Sequence, residues 1–359
     1  MVTDATSAAA GVPRPVRSSR TRPGRRTSMA DVARHAGVSS QTVSRVSNGD
    51  AAVVESTRRH VLAAMEELGY RPNSAARALK RGEFRTIGVI LFTLSTTGNM
   101  RTLEAIANSA ADEGYAVTLL PVAAPTQDDI RGAFTRLGEL AVDAIIVIME
   151  VHLLDTAKVS LPPHIQIVVA DSDAGDRYSV VDTDQAGGAR TAVRHLLELG
   201  HRSVWHLAGP AESFSAQRRA DAWRATLEEA GREVPPVLHG DWSAESGYRA
   251  GLALAEEADC SAVFAANDQM ALGLLRAFHE AGRRVPEDVS VVGFDDTPGS
   301  GSFFPPLTTV HQDFASVGRQ CVEGVLRQIR NEEAERGTTL VPTRLVVRES
   351  TAAAAARRG

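Results

Sequence analysis

From Thr86 onward, short apolar runs alternate with segments whose apolar residues recur at helical spacing, and no other feature restricts the fold as much. The runs cover 87–92, 116–122, 144–149, 165–170, 203–208, 262–265 and 289–294, and the helical segments cover 102–113, 128–140, 185–199, 216–230, 269–281 and 314–330. A run that is apolar at every residue is buried on both faces, the condition of a strand in a parallel sheet covered by helices. Alternation sustained this long predicts α/β architecture with parallel sheets. In such sheets ligands bind beyond the carboxyl ends of the strands, where strand order reverses. Polar residues just after the runs are therefore candidates: Asp171-Ser172-Asp173, Asn267-Asp268 and Asp295-Asp296. Each also has a plainer reading as a helix cap.

Before Thr86 the pattern is different. Residues 29–35 read as a short helix with Val32, Ala33 and Ala36 on its apolar side, and Thr27 and Ser28 stand ready to cap it. Gly37 separates it from a second short helix, for which Ser39 is the N-cap. Two short helices joined at a glycine are the helix-turn-helix plan, whose second helix offers its first side chains to base edges in the major groove. Ser40, Gln41 and Arg45 point outward there, while Val43 and Val46 point inward. A third helix over 57–68, with Val61, Leu62, Met65 and Leu68 on one face, should close an all-α head, and Gly69 to Pro72 ends it. Residues 73–81 are too short to hold a helix alone, since nucleation is costly, so this basic segment either folds with a partner or is a plain linker. Residues 1–26 lack periodicity and carry six arginines between Arg14 and Arg26; they read as a disordered tail, either a phosphate-contacting arm or an untended extension.

Charge supports this division. The chain of 359 residues has a net charge of -5, but through Arg85 it holds 15 Lys+Arg against 7 Asp+Glu, and afterwards 24 against 37. A basic head on an acidic body is the asymmetry of a DNA-binding module joined to something that does not bind DNA. Two cysteines, Cys260 and Cys321, suggest neither a disulfide framework nor a metal cluster. His195, His201 and His206 straddle a helix end and a strand, a poor spacing for metal, and no metal or cofactor is expected. Without a glycine-rich phosphate loop, nucleophile elbow or metal-spaced set, an enzyme is disfavoured. No membrane span or signal peptide is evident, so the expected location is the cytoplasm, which also disfavours a solute-binding protein.

The motifs Asp31-Val32-Ala33, Ala36-Gly37-Val38-Ser39, Thr42-Val43-Ser44-Arg45-Val46, Leu68-Gly69-Tyr70-Arg71-Pro72-Asn73 and Ile87-Gly88-Val89 resemble, in order, those of the LacI/GalR family of bacterial transcription regulators. The resemblance spans about 27–350. Its effector core is most similar to the lactose-repressor branch, through Gly240-Asp241-Trp242-Ser243-Ala244, 266–273, Pro305-Pro306-Leu307-Thr308-Thr309 and Gln312-Asp313-Phe314. It implies a helix-turn-helix domain at 27–72, a hinge helix and linker at 73–85, and a core at 86–350 of two periplasmic-binding-protein-like lobes. The first lobe takes about 86–183 and 314–341, the second about 184–313 and 342–350, and a disordered tail follows at 351–359.

By the same resemblance, Ser39, Ser40, Gln41, Thr42, Ser44, Arg45 and Asn48 of the head and Asn73, Ala76 and Leu79 of the hinge contact DNA. Leu79 would act as a minor-groove wedge. Gln suits adenine and Arg suits guanine. Arg219, Trp242, Asn267 and Asp295 carry over as sugar contacts, with Gln312 and Phe314 beside them. Phe92 stands where that branch has a serine, and Ala170 followed by Asp171 where it has a contacting aspartate, so the saccharide class is plausible and its identity open. Val54 replaces a customary capping serine, at about 1 kcal/mol unless Ser56 or Thr57 takes over. The residues after Thr351 show no leucine heptads, so a homodimer is expected. The resulting expectation is a repressor on a pseudo-palindromic double-stranded operator, released by a mono- or disaccharide. The alternative is a corepressed regulator that binds a purine or other small molecule.

Overall fold

The computed structural model describes residues 27–71, 82–91, 93–122, 127–148, 166–170, 178–332 and 337–354. Two compact units divide between Lys80 and Arg81. In the first, α1 (Met29–His35), α2 (Ser40–Ser47) and α3 (Glu55–Glu67) enclose Val32, Val43, Val46, Val61, Ala64 and Met65. Ser28 caps α1 in a reciprocal box with Asp31, and Thr27 Oγ1 donates to the Leu68 carbonyl at 3.0 Å, tying the start of the head to its end. Val54 sits at the N-cap of α3 with no side-chain bond, and neither Ser56 nor Thr57 replaces it. Leu62, expected in the core, is instead 49% exposed, and Ala64 fills the buried face. The helix begins two residues earlier than its apolar spacing suggests, and only one stripe of it can meet the two short helices.

The second unit runs β1 (Thr86–Leu91), α4 (Thr97–Asp112), β2 (Ala116–Pro121), α5 (Gln127–Glu139), β3 (Ala144–Ile148), β4 (Gln166–Ala170) and β5 (Ser179–Thr183). It continues through α6 (Gln185–Glu198), β6 (Trp205–Ala208), α7 (Phe214–Glu229), β7 (Leu238–His239), α8 (Ala244–Glu256), β8 (Ala262–Ala265), α9 (Asp268–Glu280), β9 (Ser290–Asp295) and β10 (Thr308–His311). Then come α10 (Phe314–Ile329), β11 (Thr338–Val341) and β12 (Arg344–Val346). These strands form two six-stranded sheets, ordered β11-β5-β4-β3-β1-β2 and β12-β10-β9-β8-β6-β7. Among the described residues the chain thus passes between the sheets three times, after Thr183, after His311 and after Val341.

One strand departs from the all-parallel expectation: β12 is antiparallel to β10. The crossings explain it. Chain entering a lobe at the carboxyl ends of its strands must first run away from the cleft. After the first two crossings a helix does this; after the third, β12 does it as a strand and so runs backwards at the sheet edge. The tail expected from Thr351 is also corrected for its first residues. Ser350 Oγ donates to the Val291 carbonyl at 2.6 Å, Ala352 N–H to Ser290 Oγ at 3.1 Å and Ala354 N–H to the Leu199 carbonyl at 2.8 Å, so residues through Ala354 belong to the second lobe. Residues after Ala354 lie outside the described residues, as do residues 1–26.

Helix α8 has no counterpart in the expected pattern because Gly247 and Gly251 dilute its helical signal. In the fold these glycines let α8 press against α9: a Cβ at Gly247 would overlap the Met270 backbone, and one at Gly273 the Ala244 carbonyl. Among the described residues no helix is long and apolar enough to cross a membrane.

Candidate functional site

In the head, Ser39 Oγ accepts the Thr42 N–H at 3.1 Å and so begins α2, while Gly37 makes the preceding turn at φ +63°. With Val43 and Val46 buried, Ser40, Gln41 and Arg45 are left exposed on the opposite face. Arg45 Nε lies 3.8 Å from Asp50 Oδ2, a surface pair too weak to hold the guanidinium in place. Thr42 is half-buried against its cap, and Asn48 Nδ2 donates to Ser44 Oγ at 3.4 Å, so Ser44 and Asn48 face each other at the helix end. Asn73, Ala76 and Leu79 lie outside the described residues.

In the second lobe the chain runs from β6 to β7 in one direction and to β8 in the other, so strand order reverses between β6 and β8. Four of the expected residues gather at that switch point. Arg219, on α7, is 4% exposed; its Nε donates to Gln185 Oε1 at 2.8 Å and its Nη1 to the Ala266 carbonyl just beyond β8. The guanidinium stacks on Phe294 at 3.8 Å and lies 5.6 Å from the Trp242 ring centre. Asn267 is the N-cap of α9, with Oδ1 accepting the Met270 N–H at 2.8 Å and Nδ2 donating to the Trp242 carbonyl at 3.0 Å. Asn267 is therefore a helix cap, as its plainer reading has it, and also a member of the polar cluster at the switch point.

Asp295 ends β9 in the left-handed region, φ +109°, followed by Asp296 at φ +52°. Two such residues in succession are costly unless held. Asp295 Oδ1 accepts from Gln312 Nε2 at 2.6 Å and lies 3.9 Å from Arg219 Nη1, so a buried cation and carboxylate share the site. Asp296 is held by Arg348 Nη2 at 2.6 Å and His311 Nδ1 at 3.0 Å. Behind them Asp268, fully buried, accepts from the Thr297 N–H at 2.8 Å, from Thr309 Oγ1 at 2.5 Å and from the Ser300 hydroxyl. Burial pushes the Asp268 carboxyl above the usual carboxylate range.

Phe314 opens α10 half-buried beside Gln312, and both line a cavity of about 370 Å³ between the lobes, with Arg101, Glu104 and Asn108 of α4 opposite. Phe92 and Asp171 lie outside the described residues. Three members of the cluster escaped the sequence reading, Gln185, Phe294 and Gly209, whereas Asp268 stood among the polar candidates after the runs. A Cβ at Gly209 would overlap the Trp242 indole, so only glycine lets that ring lie over the end of β6. The available signal was a glycine directly after an apolar run.

The three histidines considered for metal have other partners. His201 bonds Ser261, Ser290 and the Ala352 carbonyl, and His195 bonds Thr351. His206 is sealed between Phe264 and Trp223 with Nδ1 2.9 Å from the Phe264 carbonyl, and burial pushes its pKa down to about 3. Both cysteines are buried and free.

What the second lobe offers is a fixed set of planar donors and acceptors beside an indole face, and the head offers an exposed polar helix face. Residues 28–73 match the family model described as bacterial regulatory proteins, lacI family, and residues 193–351 that of a periplasmic binding protein-like domain. The lactose operon repressor of Escherichia coli strain K12 is 37% identical over 90% of this chain and 90% of its own length. The HTH-type transcriptional repressor PurR of Haemophilus influenzae strain PittEE is 33% identical over 84% of this chain and 91% of its own. Among solved structures, the lac repressor dimer bound to operator and the anti-inducer ONPF superposes with a TM-score of 0.83 at 34% identity, covering 92% of this chain and all of that one. The CelR–cellobiose complex does so at 0.65 and 30% identity, covering 90% and 100%. The chain belongs to the lacI family of bacterial regulatory proteins: it is a DNA-binding transcriptional repressor with a helix-turn-helix head and a periplasmic-binding-protein-like core.

Proposed function

We propose that this repressor is a cytoplasmic homodimer that binds a pseudo-palindromic operator and is released by a saccharide seated between the lobes. The supporting observation is the cluster of Arg219, Trp242, Asn267, Asp295 and Gln312 at the switch point. A sugar presents hydroxyls that need planar donors and acceptors, and a weakly apolar C–H face that an indole covers. Phe92, Asp171 and Phe314 complete the proposed effector set. The similarity to the lactose operon repressor and to a regulator bound to cellobiose favours a mono- or disaccharide. On the DNA side, Ser40, Gln41 and Arg45 stand at the base-reading positions, with less read by the small Ser40; Ser39, Thr42, Ser44 and Asn48 position the helix, and Asn73, Ala76 and Leu79 act at the minor groove. Ligand and operator prefer different lobe arrangements, so each weakens the other by the same factor.

A second reading rests on the PurR relatives: the effector is a purine and strengthens DNA binding. Thermal-shift panels of mono- and disaccharides and purine bases separate the two, because a ligand selective for the native state raises the melting temperature. An electrophoretic shift assay on the promoter nearest the gene then gives the sign. A sugar that releases the DNA supports induction, and a purine that tightens the complex supports corepression. Leu79→Ala is expected to weaken operator binding and leave sugar affinity intact; equal loss of both would sink the division of labour.

A further inference from the structure

Arg218 and Arg219 are neighbours on α7 of the second lobe, yet they do different things. Arg219 serves the second lobe and its crossings, bonding Gln185 after the first crossing and lying beside Asp295, which holds Gln312 of the second. Arg218 reaches the other lobe: its Nη1 donates to Oδ2 of Asp182, near the carboxyl end of β5, at 2.7 Å. The Asp182 side chain is 1% exposed and that of Arg218 29%, so the carboxylate is buried and the cation reaches in from the edge. Phe214, one turn earlier on α7, lies under the guanidinium at 4.4 Å and aims it.

We infer that the Arg218–Asp182 pair is a latch that sets the relative orientation of the two lobes, making Arg218 a positioning residue of the switch and not a ligand contact. The physical reason is asymmetry of cost. A surface pair can open freely, but a buried carboxylate that loses a cation at hydrogen-bond distance gives up attraction that offset part of its desolvation, so a lobe rotation that separates the two groups is opposed. The pair therefore biases the equilibrium between lobe arrangements, and an effector has to supply differential contacts that outweigh it. The link from lobe orientation to DNA rests on the repressor reading above; the latch itself does not.

The test compares Arg218→Met, Asp182→Asn, the two together and Arg218→Lys, which keeps the charge. Spin labels at Ala111→Cys on α4 and Glu228→Cys on α7, both exposed positions in opposite lobes, report the inter-lobe distance without ligand or DNA. Cys260 and Cys321 stay unlabelled, being buried with thiols pushed up to about 12. Labelled subunits are diluted with unlabelled ones so that distances within one chain are read. We expect one dominant distance in the parent and in Arg218→Lys, a shifted or broadened distribution in Arg218→Met and Asp182→Asn, and no further change in the double variant. Identical distributions in all five proteins, with melting temperatures preserved, overturn the latch. In ligand-free shift assays on the promoter fragment, each single neutralisation should change the operator Kd by about tenfold, and the double variant by no more. Unchanged or additive effects on Kd would detach the latch from DNA binding, and the lobe distances decide the latch whatever this arm shows.

Discussion

The two binding regions of this repressor are built on opposite principles. On α2 the side chains proposed to meet DNA, Ser40, Gln41 and Arg45, are exposed, and the helix is held by what lies beneath and before it: Val43, Val46 and the Ser39 cap. At the switch point of the second lobe, Arg219, Asn267, Asp295 and Gln312 are each at most 5% exposed and already bonded to one another or to the backbone. With the proposed sites, the head separates holding the fold from reading the ligand, and the core uses the same atoms for both. Substitution should therefore cost function alone in the head, and function together with stability in the core.

The sharpest way to break this contrast is Arg219→Met. It leaves Asp295 buried without its cation, and we expect about 3–5 kcal/mol of lost core stability in urea unfolding along with lost ligand-induced stabilisation. A variant that lost ligand binding at unchanged stability would show the site to be as separable as α2. Next in size is pH. His206 has its folded pKa depressed to about 3, so between the unfolded value near 6.5 and 3 the unfolded chain binds a proton that the native core refuses. Stability from this group is fully present above pH 6.5 and falls on acidification, by up to about 1.4 kcal/mol per pH unit. His195 and His201, also lowered by burial, add in the same direction. His206→Phe should flatten this slope in melting curves taken across that range, and an unchanged slope would place the acid sensitivity elsewhere.

In the head, Gln41→Ala is expected to cost about 1–3 kcal/mol of discrimination on a panel of base-substituted operators. Its melting temperature should not move, because exposed substitutions away from caps and core stay within about 0.5 kcal/mol. The smallest effect is a gain: Val54→Ser supplies the missing cap of α3 and should stabilise the isolated head transition by about 1 kcal/mol, leaving the core transition in place. A shift in both transitions would show the two units to unfold together.

How much was legible in advance follows the range of the interactions. The first helix, the Ser39 cap and the inward valines of α2 depend on neighbours within a few residues, and all are readable from spacing. Leu62 was misread because the stripe that faces the core is chosen by the two other helices and not by apolar spacing alone. Helix α8 was hidden because its glycines weaken the local signal and make sense only against α9. Residues through Ala354 look like low-complexity tail until Ser290, Val291 and Leu199 supply their partners. The site residues in matched motifs and Asp268 after its strand were nameable, but Gln185, Phe294 and Gly209 were not, since each takes its place through a contact with chain far away in sequence.

The amino-acid sequence by itself determined the division into a basic helical head and an acidic α/β core, because periodicity, capping and charge are local and need no third dimension. Tertiary structure alone decided which polar groups after the strands converge, that β12 runs backwards, and that Arg218 reaches across to Asp182. Those outcomes depend on three chain crossings that bring residues tens to hundreds apart into one buried place, where a carboxylate survives only beside its partner.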